Sequence, residues 1–289
     1  MDRRNFIKSS ALTALFLNTL PAFSKSILNR FYDDYDELIC RKKFKLFADE
    51  NIKTLPIGEA IGEIGKSFID TDYIAGSLDG NNSESLVINL TGFDCVTFVE
   101  NCLTFARCVL AGKTTFDDYK KELQKIRYRN GSIDGYSSRL HYFCDWIYNN
   151  EENKIIKDIS SELGGVIYDK KINFMSSNPQ YYKQLSNQDE LDKIIQIEND
   201  INSRKLYYIP AKNISTIYDN LQTGDIIATT TNISGLDVTH TGFIYKEGTK
   251  TKFMHASSKS KKVVISNNQL HEYVAEDKKK TGIIVARPL

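Results

Sequence analysis

Between Arg41 and about Asn150 the apolar residues recur every three or four positions, and from Leu221 onward they gather in short runs broken by turn residues. The first rhythm is that of amphipathic helices, the second that of strands. Ile57, Ile61, Ile64 and Phe68 predict one helix, with Thr54 as its N-cap and Pro56 in its first turn. Val96, Val99, Leu103, Ala106 and Leu110 predict a second, stopped by Gly112. Phe116, Tyr119, Leu123 and Ile126 predict a third, and Leu140, Cys144 and Ile147 a fourth, capped by Ser137 or Ser138. From about Gly164 to Ser215 the pattern is mixed, with one helix expected over 188–201. Strands are expected over 225–231, 240–245, 251–256, 263–266 and 282–286, separated by Gly224, Gly235, Gly248 and Asn267-Asn268. Helices first and an antiparallel sheet second, with no Pro/Gly-rich hinge between them, predict one α+β domain.

The composition narrows the classes. The chain has 289 residues, 41% hydrophobic and 26% charged, enough apolar material for a core and unlike a disordered or collagen-like chain. Its 38 basic residues against 37 acidic ones leave a net charge of +1, without the basic excess that nucleic-acid binding requires. Five scattered cysteines do not make a disulfide framework. No phosphate loop, dinucleotide fingerprint or Gly-x-Ser-x-Gly elbow occurs. Close Cys or His ligand pairs of the zinc type are also lacking, so neither cofactor nor metal is expected.

Residues 1–24 read as an export signal. Arg3-Arg4 begin a charged segment, Ala11 to Leu20 form a short apolar one, and Ala22-Phe23-Ser24 offer small residues for cleavage. Arg-Arg-x-Phe-Ile-Lys resembles the twin-arginine pattern. The apolar run is shorter than the ~20 residues a membrane span needs. The signal carries Arg3, Arg4 and Lys8 against Asp2, so its removal leaves 35 basic and 36 acidic residues. The expectation is an exported chain, periplasmic or extracellular, not inserted in a membrane after signal removal. Residues 25–289 would form a single domain with an insertion at about 150–218.

Candidate chemistry begins with Cys95, in Thr91-Gly92-Phe93-Asp94-Cys95-Val96-Thr97. Gly92 breaks the chain and the helix starts at or just after Asp94, which sets Cys95 in a first turn. Unpaired N–H groups and the positive end of the helix dipole stabilise a thiolate there, and the same N–H groups can receive an oxyanion. The competing reading is a small buried hydrophobe, which is how Cys102, Cys108 and Cys144 read inside their helices. Of the four histidines, His240 opens one strand and His255 closes the next, with Lys246–Lys250 as the turn between them. A turn centred on Glu247-Gly248 would pair 240 with 255, their Cβ atoms about 5 Å apart on one face, while a one-residue slip would separate them. Gly242 would leave that face open beside His240. His141 and His271, on apolar helical stretches, read as packing or surface groups.

These residues resemble the NlpC-type cell-wall cysteine peptidases. The motifs are Asp94-Cys95 opening a helix, Gly224-Asp225-Ile226-Ile227, His240–Tyr245 as His-x-Gly-φ-φ-Tyr, and Met254–Ser257 as φ-His-Ala-Ser, with Tyr73-Ile74-Ala75-Gly76 upstream. Phe93-Asp94-Cys95-Val96-Thr97-Phe98-Val99-Glu100, Ser138-Arg139-Leu140-His141-Tyr142 and the long insertion are closer to the N-acetylmuramoyl-L-alanine amidase-like branch. The resemblance covers roughly 40–289. It implies a papain-like α+β core, in which the helix bearing Cys95 packs on a sheet bearing His240 and His255. It further implies Cys95 as nucleophile, His240 as base and later acid, and His255 as the group orienting His240. Tyr73, Asp94, Ser138 and Arg139 become expected substrate-binding positions, with Tyr73 lining the site near the thiol. The implied substrates are peptidoglycan fragments (muropeptides), cut at the N-acetylmuramoyl-L-alanine amide through an acyl-enzyme. Val96-Thr97 departs from the Ser-Gly that follows the cysteine in the superfamily, which puts the common endopeptidase specificity in doubt. For Arg139 a bidentate grip on a peptide carboxylate competes with a solvated helix residue. A stem-peptide endopeptidase and an inactive wall-binding module stay open as alternatives.

Overall fold

The structure, a computed structural model, describes residues 22–79 and 83–289, with side chains from Asp34 onward in the first helix. Most of the expected export signal, residues 1–21, lies outside the described residues. The α-helices of more than four residues are α1 Ala22–Asp49, α2 Ile57–Lys66, α3 Cys95–Leu110, α4 Phe116–Arg127, α5 Phe143–Glu152, α6 Gln188–Ser203 and α7 Leu270–Ala275. The strands are β1 Asp72–Tyr73, β2 Gly92–Phe93, β3 Ile156–Asp158, β4 Val166–Ile167, β5 Tyr207–Pro210, β6 Ile226–Thr231, β7 Val238–Glu247, β8 Lys250–Ser257, β9 Lys262–Gln269 and β10 Lys280–Pro288. They form one sheet in the order β2-β1-β9-β8-β7-β6-β10-β5-β4, with β3 also on β10. All pairings are antiparallel except β1 with β2, so the α+β expectation holds with a parallel pair at one edge.

Alternation along β7 and β8 sorts their side chains between two cores. Phe243, Met254 and Ala256 join the large core that contains Phe98, Val99 and Cys102 of α3. Phe98 meets Phe243 edge to face, with ring centroids 5.7 Å apart. Ile244 and Phe253 turn to the opposite face, where they pack with Ile227, Ile283 and with Leu270 and Val274 of α7. The sheet is therefore covered on both sides: by the N-terminal helices, and by α7 with the 3-10 stretch Ala211–Asn220.

Three expectations need correction. Pro56 is itself the N-cap of α2, and Thr54 ends a preceding 3-10 turn. The fourth helix begins at Phe143, not at Ser137 or Ser138, which belong to a 3-10 turn, Tyr136–Ser138. Arg139 is drawn into an isolated antiparallel bridge with Tyr128, and the Leu140 N–H donates to the Arg127 carbonyl, so 139–140 cannot continue a helix. The third concerns the β7–β8 turn. Glu247 pairs with Lys250 and Phe243 with Met254, centring the turn one residue later, on Gly248-Thr249. Gly248 supplies the positive φ of 58° that the turn requires.

The insertion is stitched into the sheet rather than hung beside it. Its β3 and β5 pair with β10, β4 pairs with β5, and Glu190 of α6 accepts a 2.7 Å hydrogen bond from the Ser137 backbone N–H. Among the described residues no helix is long and apolar enough to cross a membrane.

Candidate active site

Cys95 is the first residue of α3, and its helix start is well defined. Asp94 is the N-cap: its Oδ1 accepts from the Thr97 N–H at 2.8 Å, while the Thr97 hydroxyl accepts from the Asp94 N–H at 2.9 Å. This capping box fixes where the free N–H groups begin. Burial pushes the Asp94 carboxyl up, against the Thr97 hydrogen bonds that hold it down. Asp94 thus serves the helix start, and its expected contact with substrate has no support in this geometry. Cys95 is half-buried, whereas Cys40, Cys102, Cys108 and Cys144 are buried and their thiols are pushed up by burial.

His240 and His255 meet. His240 Nε2 lies 2.7 Å from His255 Nδ1, with the rings nearly perpendicular and 4.8 Å apart. The one-residue shift of the turn moves the pairing by an even step, so both stay on one face and are diagonal rather than directly opposite. Gly242 is not an opening beside them. A Cβ there would fall 2.5 Å from the Met254 carbonyl oxygen and 2.8 Å from His255 Cβ. The glycine is what lets the two strands and the His255 side chain close up. Burial, then His255 and Lys280, hold His240 well below the ordinary imidazole range. Burial, then Lys280, hold His255 down to about 3. Both rings are neutral at physiological pH, so the hydrogen bond joins one donor nitrogen to one acceptor. His240 keeps Nδ1 for another partner.

Tyr273 of α7 packs against this pair. Its ring lies 5.0 Å from His255 and 6.3 Å from His240, and it packs on Phe253 at 4.9 Å. Its hydroxyl is pushed up by burial and, next, by the charge of Cys95, which brings the Cys95 side chain within electrostatic reach of the cluster. Lys280 Nζ stands over the same ring at 3.7 Å. Neither Tyr273 nor Lys280 sits in a motif, and only packing brings α7 and the start of β10 to the histidines.

The remaining expected positions divide. Tyr73 pairs through β1 with Phe93 of β2, two residues before Cys95, so its backbone lies beside the helix start. Ser138 is spent locally, donating to the Gly135 carbonyl and accepting from the Asp134 N–H. Arg139 is no solvated helix residue. It is 6% exposed, pairs with Asp79 Oδ1 at 2.7 Å, lies 3.3 Å from Glu84 Oε1, and rests on the Tyr136 ring. Its guanidinium is thus occupied by carboxylates of this chain, and the 3.3 Å approach of Nε to Glu84 is an ion pair without hydrogen-bond geometry. His141 precedes α5 rather than lying in a helix, and its Nε2 is 2.7 Å from the Tyr136 carbonyl. His271 of α7 pairs with the Tyr218 hydroxyl. Both act in packing.

An α+β chain with a half-buried cysteine at a capped helix start and two hydrogen-bonded imidazoles carries the groups of a hydrolase acting on amide bonds. The chain belongs to the AmiA-like family, N-acetylmuramoyl-L-alanine amidase-like, whose family model matches residues 63–283. It is similar to an N-acetylmuramoyl-L-alanine amidase from Bacteroides uniformis ATCC 8492, with 38% identity and a TM-score of 0.76 over 81% of this chain and 99% of that one. A Bacteroides fragilis protein described as a candidate xylanase is 36% identical, with a TM-score of 0.69 over 77% of this chain and 98% of that one. A Legionella pneumophila protein of the DUF1460 family shares the fold at 22% identity, with a TM-score of 0.70 over 90% of this chain and 96% of its own. No curated protein matches.

Proposed function

We propose that this chain is an exported cysteine amidase with a papain-like core of the NlpC type. It hydrolyses the amide between N-acetylmuramic acid and L-alanine in peptidoglycan fragments. The reading rests chiefly on the His240–His255 hydrogen bond at 2.7 Å, together with Cys95 at the capped start of α3, in a chain of the amidase-like family.

His240 Nδ1 takes the proton of the Cys95 thiol. For that, Nε2 of His240 must carry its hydrogen and donate it to His255 Nδ1, so His255 fixes the tautomer and steadies the imidazolium that forms. The Cys95 thiolate attacks the lactyl carbonyl, and N–H groups of the first turn of α3 receive the oxyanion. His240 returns its proton to the departing L-alanine nitrogen, leaving a thioester on Cys95. A water, deprotonated by His240, releases N-acetylmuramic acid and restores the thiol. Tyr73, beside the helix start, lines the thiol. The insertion, tied to β10 and to Ser137, walls the site and favours soluble fragments over intact wall.

The test is digestion of N-acetylmuramoyl-tripeptide with mass spectrometry of the products. Free N-acetylmuramic acid and a tripeptide with a free alanine amine are expected. A cut within the peptide would make the chain an endopeptidase, and no cut at all would leave a wall-binding module.

A further inference from the structure

The proposed chemistry leaves one charged group beside the site without a task. Lys280 begins β10 opposite Thr231 of β6, and its backbone N–H donates to the Asp277 carbonyl. Its side chain is half-buried, with Nζ 3.7 Å from the Tyr273 ring centroid. Asp277 and Glu276 are near enough to favour its charged form, yet neither forms an ion pair with it, and Glu276 lies 3.7 Å from Lys259 instead. Burial, the leading influence, lowers the ammonium to about 8, and Lys259 adds to that. The same ammonium depresses both histidines, so its field reaches the reacting groups.

A half-buried ammonium held over an aromatic face and left without a carboxylate is costly in the empty protein. An anion arriving with the substrate would remove that cost and gain a charge-assisted hydrogen bond. The chemistry of the substrate says where such an anion lies. The sugar side of the scissile amide is an uncharged N-acetylated lactyl ether, whereas the peptide side carries carboxylates. We infer that Lys280, braced by Tyr273, is a specificity residue that binds a carboxylate on the leaving-amine side of the scissile amide. This inference rests on the proposed amidase activity. It adds that the site selects acidic over amidated peptides.

Two substrates separate the possibilities: N-acetylmuramoyl-L-alanine and N-acetylmuramoyl-L-alaninamide, identical but for one carboxylate. The wild-type protein is expected to show a KM about 10-fold lower for the acid than for the amide, the scale of one hydrogen bond to a charged group. Lys280→Gln should raise KM for the acid about 10-fold with little change in KM for the amide, so that the preference disappears, while any effect through the histidines falls on kcat of both substrates alike; Lys280→Arg keeps part of the preference. An unaltered thermal midpoint checks that the variants fold. If Lys280→Gln lowers both substrates equally or only shifts the pH profile, Lys280 acts on the histidines rather than on substrate, and the inference is overturned. It is overturned as well if the wild type treats both substrates alike. Cleavage of neither substrate, nor of the tripeptide above, would defeat the amidase reading itself.

Discussion

Replacing Gly242 with alanine tests the packing that joins the two histidines. The added methyl would lie 2.5 Å from the Met254 carbonyl oxygen, 2.8 Å from His255 Cβ and 2.8 Å from Phe253 Cζ. Ordinary contacts are about 3.5–4.0 Å, so β7 and β8 or the His255 side chain must yield by about 1 Å. Overpacking of this size costs about 1–3 kcal/mol, which in a domain of this length lowers the thermal midpoint by about 2–4 °C per kcal/mol. The effect on catalysis should be larger than that loss suggests. His255 holds His240 through a single 2.7 Å hydrogen bond, and a displacement of about 1 Å in a catalytic array can cost about 100-fold. The expected result is a moderate drop in midpoint with kcat on N-acetylmuramoyl-tripeptide reduced about 100-fold and KM little changed. Thermal unfolding followed by circular dichroism and a steady-state assay below the new midpoint measure both. Wild-type values of each would refute the close-approach reasoning. A lowered midpoint with intact kcat would show that His255 does not position His240.

Cys95→Ala should abolish hydrolysis while keeping the fold, whereas Cys102→Ala, at a fully buried position, should keep activity and lose about 1 kcal/mol; turnover by the first variant refutes the thiol mechanism. Between pH 6.5 and about 3 the unfolded chain protonates its histidines while native His255 stays neutral, so stability from this group is complete above pH 6.5 and falls by about 1.4 kcal/mol per pH unit as pH drops. Denaturant titrations across that window should be less steep for His255→Asn than for the wild type, and equal slopes would refute the buried neutral ring. Arg127 and Glu100 form a 2.7 Å pair with each side chain 2% exposed, and Arg127 also donates to the Val87 carbonyl. Arg127→Met leaves a buried carboxylate and should cost about 3–5 kcal/mol in urea unfolding; a loss below 1 kcal/mol would refute that.

How far the chain could be read depended on whether a signal was local. The helix bearing Cys95 was legible because Asp94, the apolar spacing and Gly112 all act within one element. The shared face of His240 and His255 was legible from strand alternation, although the turn was misplaced by one residue. Such an error survives because a shift of pairing by an even step keeps both side chains on their face. The false fourth helix start had the opposite cause. Ser137 and Ser138 look like caps locally, but Tyr128, Asp79 and Glu84, distant in sequence, hold Arg139 in an extended bridge. Tyr273 and Lys280 were illegible for the same reason. Their place depends on how α7 docks against β8 and how the start of β10 pairs with β6, which no spacing within any one element encodes.

Strand β10 is the last strand in the sequence, yet it lies inside the sheet, with β6 on one side and β3 and β5 on the other. Pairings that span so much sequence make folding slow, because loop-closure entropy must be met before the contacts return anything. A chain still emerging from synthesis would expose the edges of β6 and β5 until its last segment arrives, surfaces that invite chaperones or strand exchange with a neighbour. Hydrolytic competence would therefore appear late and all at once. Until β10 seats, the strand against which β6 aligns is missing, and β6 in turn carries β7 with His240, so a partly made chain has no settled site with which to attack its substrate.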